Sequence, residues 1–405
     1  MAEHVVIVGA GHAGGTAAAL LRQYGFEGSI TLIGEEPYPP YQRPPLSKAW
    51  LKGEAGEEDL ELKGHDFYAG ANIDLRLKTP VEAIDRAAKT ISAGGETIGY
   101  DILILATGAR ARTLPIPGAD LPGVLFLRTA DDAEALKQAL TPGKRLAVIG
   151  GGYIGLEAAA SARALGCEVA VLEREERLLA RVASRPLSDF FYDYHRSRGV
   201  EFDLGASAVA IEGDGRVQAV RLADGREIRC DAVLVGVGAI PNDDLAKAAG
   251  LECRDGVVVD IHARTSDPSI FAIGDVTRRP MPLYGREWRL ESVPNALEQA
   301  KQAASAIAGR PEPAPEAPWF WSDQYDIKLQ IAGVPFETDD LLVRGDPKTS
   351  NFAVFHMKGD RILSVEAVNA PAEFMGGRLL IVQGKPVDKA KLVDPSVSMK
   401  AVALA

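Results

Sequence analysis

An α/β fold is predicted, with two parallel-sheet units of the same plan followed by a small α+β unit. Three observations point to it. Residues 8–15, VGAGHAGG, and 148–157, VIGGGYIGLE, each set closely spaced glycines between a valine-rich run and an alanine-rich run. Residues 309–318, GRPEPAPEAP, form a proline-rich stretch of the kind that joins domains. Beyond it, short apolar runs alternate with turn residues.

The elements follow in order. HVVIVG (4–9) is a short valine-rich run, as expected of a buried parallel strand. GHAGGTAAALLRQYG reads as a helix ending at Gly25, and SITLIGEE (29–36) as the next strand. Strand, glycine turn, helix and strand make a βαβ unit. The plan repeats in RLAVIGG (145–151), the helix YIGLEAAASARALG (153–166) and the strand CEVAVLE (167–173). TADDAEALKQAL (129–140) is a predicted helix with Thr129 as N-cap and Asp131 and Asp132 near its positive end. YDILILATG (100–108), DAVLVGVGAIPN (231–242) and SIFAIGDV (269–276) are apolar strands leading into glycine turns. ESVPNALEQAKQAASAIAG (291–309) holds a helix from about residue 295. In the tail, KLQIAG, LLVRG, NFAVFHM and ILSVEAVN read as strands and EFMGGRLLIVQG as a helix.

Composition bounds the function. The chain has 405 residues, enough for two or three domains, and is 46% hydrophobic and 25% charged. A net charge of −11 argues against general binding of nucleic acid or an anionic membrane. The N-terminus MAEHVVIVGAG carries no basic leader, and no apolar run nears the length of a bilayer span, so a cytoplasmic location is expected. Cys167, Cys230 and Cys253 lack the spacing of a redox pair or a zinc site and read as core thiols. The six histidines form no metal constellation.

Each glycine loop has the features of a phosphate cradle. Gly9 lets the strand turn, Gly11 lets the backbone approach a pyrophosphate, and Gly14 lets helix and strand pack closely. The helix N-terminus offers free N–H groups to the anion. Glu35, about 20 residues after the last glycine, is placed to bind ribose hydroxyls. Gly150, Gly152, Gly155 and Glu173 repeat the pattern. An acid at position 173 repels a 2′-phosphate and favours NADH, although Arg174 and Arg177 nearby pull the other way. Two complete cradles imply two dinucleotides bound together, most naturally FAD and NADH with hydride passing between their rings. A tandem duplication with one dead site is the other reading.

With these loops, YDILILATGARAR and SIFAIGDV, the chain resembles the two-dinucleotide flavoproteins of glutathione-reductase fold. YQRPPLSK (41–48), ESVPNALEQA (291–300) and PWFWSDQYDIKLQIAG (318–333) narrow the resemblance to NADH-dependent ferredoxin reductases of bacterial oxygenase systems, the putidaredoxin reductase type. The resemblance implies two Rossmann-like domains: an FAD domain of residues 1–112 and 240–318, and an NADH domain of 113–239. An α+β interface domain of 319–405 completes the chain. It also implies that Ala13, Glu35, Lys48, Val81, Arg128, Asp275 and Val293 touch FAD, Asp275 through the ribitol hydroxyls, with Arg43 near the phosphates or ring. Thr107, Gly108, Gly238 and Gly274 sit at glycine turns counted with the cofactor sites, and Tyr153 and Ile154 flank the second cradle. Val81 otherwise reads as a buried strand residue, and Arg43 and Lys48 as solvated loop charges. Glu157 is implied to face the nicotinamide side of the flavin and to pair with Lys48; otherwise it complements a helix dipole. These two are the catalytic candidates.

The electron exit follows from the loop EEPYPPYQRPPLSK, which has no cysteine, so no dithiol relay runs through it. Electrons must leave the flavin directly, one at a time, to an iron–sulfur protein. Trp319, Trp321 and Tyr325 either cover the ring or pack an interface. The expected partner is an acidic 2Fe–2S ferredoxin that serves an oxygenase. Arg278, Arg279, Arg286 and Arg289 are the expected docking rim, with Lys301 adding to it; unrelated solvated arginines are the other reading. A rubredoxin reductase, an NADH oxidase and a non-catalytic redox sensor are alternative functions.

Overall fold

The computed structural model describes residues 3–64 and 66–404, so His65 lies outside them. The chain divides into two compact units. One comprises Met1–Gln42, Glu57–Arg110 and Ile240–Glu316, and the other Arg43–Gly56, Ala111–Ala239 and Ala317–Ala405.

The first unit is built on five parallel strands in the order Ile270–Ala272, Ile102–Leu105, His4–Val8, Ser29–Ile33, Ile73–Arg76. Alternation along His4–Val8 sends Val5 and Ile7 to one face and Val6 and Val8 to the other. Val5 and Ile7 pack with Ala13, Ala17, Ala300 and Ala304 of the helices His12–Gln23 and Val293–Ile307. Val6 and Val8 pack with Ile91, Ala93 and Ile98 of a three-stranded antiparallel sheet, Val81–Asp85, Thr90–Ala93 and Glu96–Gly99. Both faces are covered, which is why the strand is continuously apolar.

The second unit repeats the parallel plan in the order Val200–Leu204, Glu168–Glu173, Arg145–Ile149, Ala232–Val235, Val124–Leu125. It adds an antiparallel sheet ordered Trp319–Gln324, Ile327–Gly333, Arg361–Val368, Asn351–Lys358, Asp340–Asp346, with the helix Pro371–Gln383 against it. The tail is thus α+β, and WFWSDQ is a further strand. Ile327, Leu329, Phe352 and Val354 share one apolar cluster with Val148, Leu156, Phe190 and Phe191, so the tail and the second parallel sheet have a common core. The tail therefore falls in one compact unit with the second parallel sheet.

One segment moves relative to expectation. Residues 43–56, expected with the first parallel sheet, pack in the second unit. Leu51 explains this: it is 1% exposed and belongs to the cluster of Leu136, Leu156 and Ala159. Helix ends follow local chemistry. Thr129 accepts from the Asp132 amide and Asp132 returns the bond, a capping box on Ala130–Ala139. Ser292 caps Val293–Ile307, starting that helix two residues before the expected position, with Pro294 in its first turn. Cys167 and Cys230 are buried thiols, and Cys253 is half-buried. Among the described residues no helix is long and apolar enough to cross a membrane.

Candidate functional site

Both glycine loops have the form of an open cradle. In the first unit, a Cβ on Gly14 would lie 1.9 Å from the Gly9 carbonyl oxygen, so only glycine lets the helix His12–Gln23 sit this close to the strand end. A Cβ on Gly11 would meet nothing within 4 Å. Gly11 is the N-cap, yet no side chain caps this helix and no acid occupies its first turn. Its amide donors are left for an anion from outside the helix.

Other first-unit residues gather at this cradle. Thr107 follows the neighbouring strand, its amide 3.1 Å from where a Gly9 Cβ would stand. Its hydroxyl donates to the Asn242 carbonyl (2.7 Å), and Asn242 Nδ2 donates back to the Thr107 carbonyl (2.9 Å). The Asn242 amide bonds the Gly108 carbonyl at 2.9 Å. Gly274, at φ +82°, approaches Ala13 so closely that a Cβ would lie 3.0 Å from the alanine methyl. That contact brings the half-buried Asp275 to the first helix. Gln299 Oε1 holds the turn by accepting from the Gly274 amide and the Thr277 hydroxyl, both at 2.8 Å. Gln299 and Asn242 were not foreseen; a glutamine at a wholly buried helix position is the signal that marks the first. Val293 opens the helix that carries Gln299. Glu35 is exposed just beyond its strand. Val81 packs against the cluster of Val6 and Val8 as a half-buried strand residue.

The second cradle repeats the arrangement. A Cβ on Gly155 would lie 2.3 Å from the Gly150 carbonyl oxygen, whereas at Gly152 it would meet nothing within 4 Å. The helix Tyr153–Ala164 again lacks a side-chain cap and a first-turn acid. Glu173 is fixed in place: Oε2 accepts from the Gly151 amide (2.7 Å) and Oε1 from the Glu175 amide (2.9 Å). About half of the carboxylate's acceptor sites stay available for hydroxyl donors. The neighbouring arginines are engaged elsewhere. Arg177 donates to the Ala180 and Ala183 carbonyls, and Arg174 pairs with Glu175. Gly238, at φ +106°, accepts from the Arg112 amide at 2.9 Å. Ile154 is 48% exposed on the first turn of the helix. Tyr153 turns its hydroxyl inward, without a hydrogen-bond partner, and its ring meets Phe320 at 4.9 Å. Burial pushes that phenol well above its ordinary range, and the charge of Glu366 adds to the effect.

Glu157, one turn into the same helix, is 3% exposed. Its Oε2 accepts from Lys48 Nζ (2.7 Å) and the Ser47 hydroxyl (2.5 Å), and its Oε1 accepts from the Ser322 hydroxyl (2.6 Å). The expected Lys48–Glu157 pair is therefore present. A buried carboxylate held by a cation and two hydroxyls meets the requirement that a buried charge be fully hydrogen-bonded. Arg43 donates to the Arg128 carbonyl at 2.5 Å, and both belong to the same unit as Lys48 and the second cradle. Ser322 was not foreseen. The signal was the alternation in WFWSDQ, which sends Trp319 and Trp321 to one face and Phe320, Ser322 and Gln324 to the other. Trp321 lies 5.7 Å from Trp319, ring to ring.

The expected docking rim is corrected. Arg279 is buried and forms a bidentate pair with Glu298 (2.9 and 3.0 Å) while bonding Asn295. Arg289 pairs with Asp255 and Glu291, and Arg278 with Glu287. Arg278, Arg279 and Arg289 are thus matched by acids, since a guanidinium withdrawn from water needs a carboxylate beside it.

The pyridine nucleotide-disulphide oxidoreductase family matches residues 3–300, and the reductase C-terminal family matches 319–403. The chain is 53% identical to a probable ferredoxin reductase, CtmF, of Castellaniella defragrans, covering 99% of both chains. It is 43% identical to the putidaredoxin reductase CamA of Pseudomonas putida, covering 99% of this chain and 96% of that one. Among solved structures, a covalent putidaredoxin reductase–putidaredoxin complex matches with a TM-score of 0.96 at 43% identity, over 98% of this chain and 97% of the other.

Proposed function

The chain belongs to the pyridine nucleotide-disulphide oxidoreductase family, and from that premise we propose that it is an FAD-containing NADH:ferredoxin reductase. It takes reducing equivalents from NADH and passes single electrons to a 2Fe–2S ferredoxin that feeds an oxygenase. One observation carries the reading: two open glycine cradles in a chain without a dithiol. The loop joining the first βαβ unit to Lys48 has no cysteine, and the three cysteines lie elsewhere. Burial pushes the thiols of Cys230 and Cys253 up to about 12 and about 11, and raises Cys167 as well. None is a ready thiolate. The full-length relatives named as ferredoxin and putidaredoxin reductases support the choice of partner.

The residues divide by task. Gly11, Ala13, Gly14, Glu35, Gly274 and Asp275 hold FAD through its phosphates and hydroxyls. Gly152, Gly155 and Glu173 hold NADH, with Glu173 favouring it over NADPH. Bound flavin supplies the chemistry that accepts two electrons together and releases them singly. Lys48, aimed by Glu157, would offer a cation to a bound flavin. The test is anaerobic stopped-flow bleaching of the purified yellow protein by NADH, then mixing with 2Fe–2S ferredoxins. Carrier-dependent turnover is expected. Fast reduction followed, once air is admitted, by oxygen consumption without a carrier would establish an oxidase, and turnover only with rubredoxin would replace the ferredoxin assignment.

A further inference from the structure

A buried polar chain continues beyond the Lys48–Glu157 pair. The Ser322 hydroxyl bonds Glu157 Oε1 at 2.6 Å, and Gln324 Nε2 bonds Ser322 Oγ at 3.0 Å. Gln324 Oε1 lies 2.7 Å from His195 Nε2, and the Tyr325 hydroxyl lies 3.5 Å from His195 Nδ1. Ser322 and His195 are wholly buried, and Gln324 is 1% exposed. All of these residues belong to one unit.

The direction of the chain follows from the inventory of donors. A carboxylate only accepts, so Ser322 spends its single proton on Glu157. Its oxygen must then accept, and the Gln324 amide nitrogen can only donate. The Gln324 carbonyl is left as an acceptor, so His195 carries its proton on Nε2 and presents a bare Nδ1 to Tyr325. Every bond points its donor towards Glu157. Bonds aligned in this way polarise one another in a low-dielectric interior. Interior-facing positions 322 and 324 of a strand that packs a core are ordinarily filled by apolar side chains, which cost nothing in unpaired polar groups.

We propose that Ser322, oriented by Gln324 and His195, is a positioning residue that fixes the Glu157 carboxylate and, through it, Lys48. The proposal rests on the reading that this pair serves electron transfer from NADH to the flavin. Ser47 and Lys48 both bond Oε2, so Ser322 is the hydroxyl that fixes Oε1. Rotation about the terminal carboxylate torsion is soft, and Ser322 is the partner that holds its Oε1 end. A displaced Glu157 carries Lys48 with it, and shifts of about 1 Å near reacting groups cost about 100-fold in rate. The environment of His195 agrees. Burial lowers its pKa to about 4, with the Gln324 bond opposing and the Arg198 charge adding. The rings of Phe191, Phe202 and Tyr325 surround it, Arg198, bonded to Asp326, lies over the Tyr325 ring, and the Arg163 charge also acts on Tyr325.

The test has two arms. In the first, ¹⁵N-histidine NMR of the intact flavoprotein at pH 7 should show His195 neutral with its proton on Nε2. A proton on Nδ1, or a charged ring, overturns the direction of the chain. In the second, stopped-flow reduction by NADH is followed in Ser322→Ala, Gln324→Leu, Lys48→Met and the double variant Ser322→Ala/Lys48→Met. Ser322→Ala should lower the limiting rate about 10-fold or more, with the NADH dissociation constant unchanged within twofold. In the Lys48→Met background the same change should have no further effect, because Ser322 acts through that pair. Gln324→Leu keeps the serine donor but not its orientation, and supplies the answer if Ser322→Ala does not fold. Unchanged rates in either variant, or additive losses in the double variant, overturn the proposal. A wild-type protein that NADH does not reduce overturns the functional reading instead and leaves the NMR arm standing.

Discussion

The same substitution at two glycines three residues apart should have opposite consequences. At Gly152 the backbone is ordinary extended chain, φ −83° and ψ 177°, and an added Cβ meets nothing within 4 Å. Gly152→Ala should therefore fold normally, at a cost under about 1 kcal/mol for the poorer N-cap. What the methyl takes is the space at the uncapped helix terminus. Losing one charge-assisted hydrogen bond from a backbone amide to a phosphate costs about 1.5–3 kcal/mol, which is about 10- to 150-fold in affinity. At Gly155 the added Cβ would lie 2.3 Å from the Gly150 carbonyl oxygen. Helix and strand must separate, and overpacking of this kind costs about 1–3 kcal/mol in stability. The assay pairs chemical denaturation with the concentration dependence of flavin reduction by NADH. Gly152→Ala should keep its denaturation midpoint and lose NADH affinity, while Gly155→Ala should lose stability. NADH binding as tight as wild type in Gly152→Ala would place the pyrophosphate elsewhere, and an undiminished midpoint in Gly155→Ala would refute the packing argument.

Three further outcomes are expected. Glu173→Ala should narrow the ratio of kcat/KM for NADH over NADPH by about 10-fold or more, because it removes the acid proposed to bind the ribose hydroxyls; an unchanged ratio assigns the preference to other residues. Arg279→Glu should lower thermal stability, by an amount in the range of about 3–5 kcal/mol for a buried pair that loses one partner, since Glu298 and the new acid would face each other. A variant as stable as wild type would contradict the pairing. The His195 shift sets a pH dependence. Its folded pKa of about 4 lies below the ordinary 6.5, so between these values the unfolded chain binds a proton that the native protein excludes. Stability is complete above about pH 6.5 and declines by up to about 3 kcal/mol as pH falls towards 4. Denaturation at stepped pH should show this slope in wild type and its loss in His195→Gln.

The two cradles were legible in the sequence because their determinants are local. A glycine that must clear a carbonyl five residues back, an uncapped helix start and an acid at the end of the next strand follow one another along a single βαβ unit. Cap positions were readable for the same reason, as Thr129 shows. The family resemblance brought Lys48 and Glu157 into view, and the fold places them 2.7 Å apart across 109 positions of sequence. Other features had no local signature. Ser322 reaches Glu157 from 165 positions away, and only the stacking of the tail sheet within the second unit decides which face of WFWSDQ is buried. The arginines at 278, 279 and 289 looked like one basic stretch, yet each finds an acid when the chain folds. Nor does any neighbour of Leu51 say which core it enters. Propensity and glycine geometry act over a few residues and are written in order, whereas the partner of a buried charge or side chain is chosen by whatever the rest of the chain packs beside it.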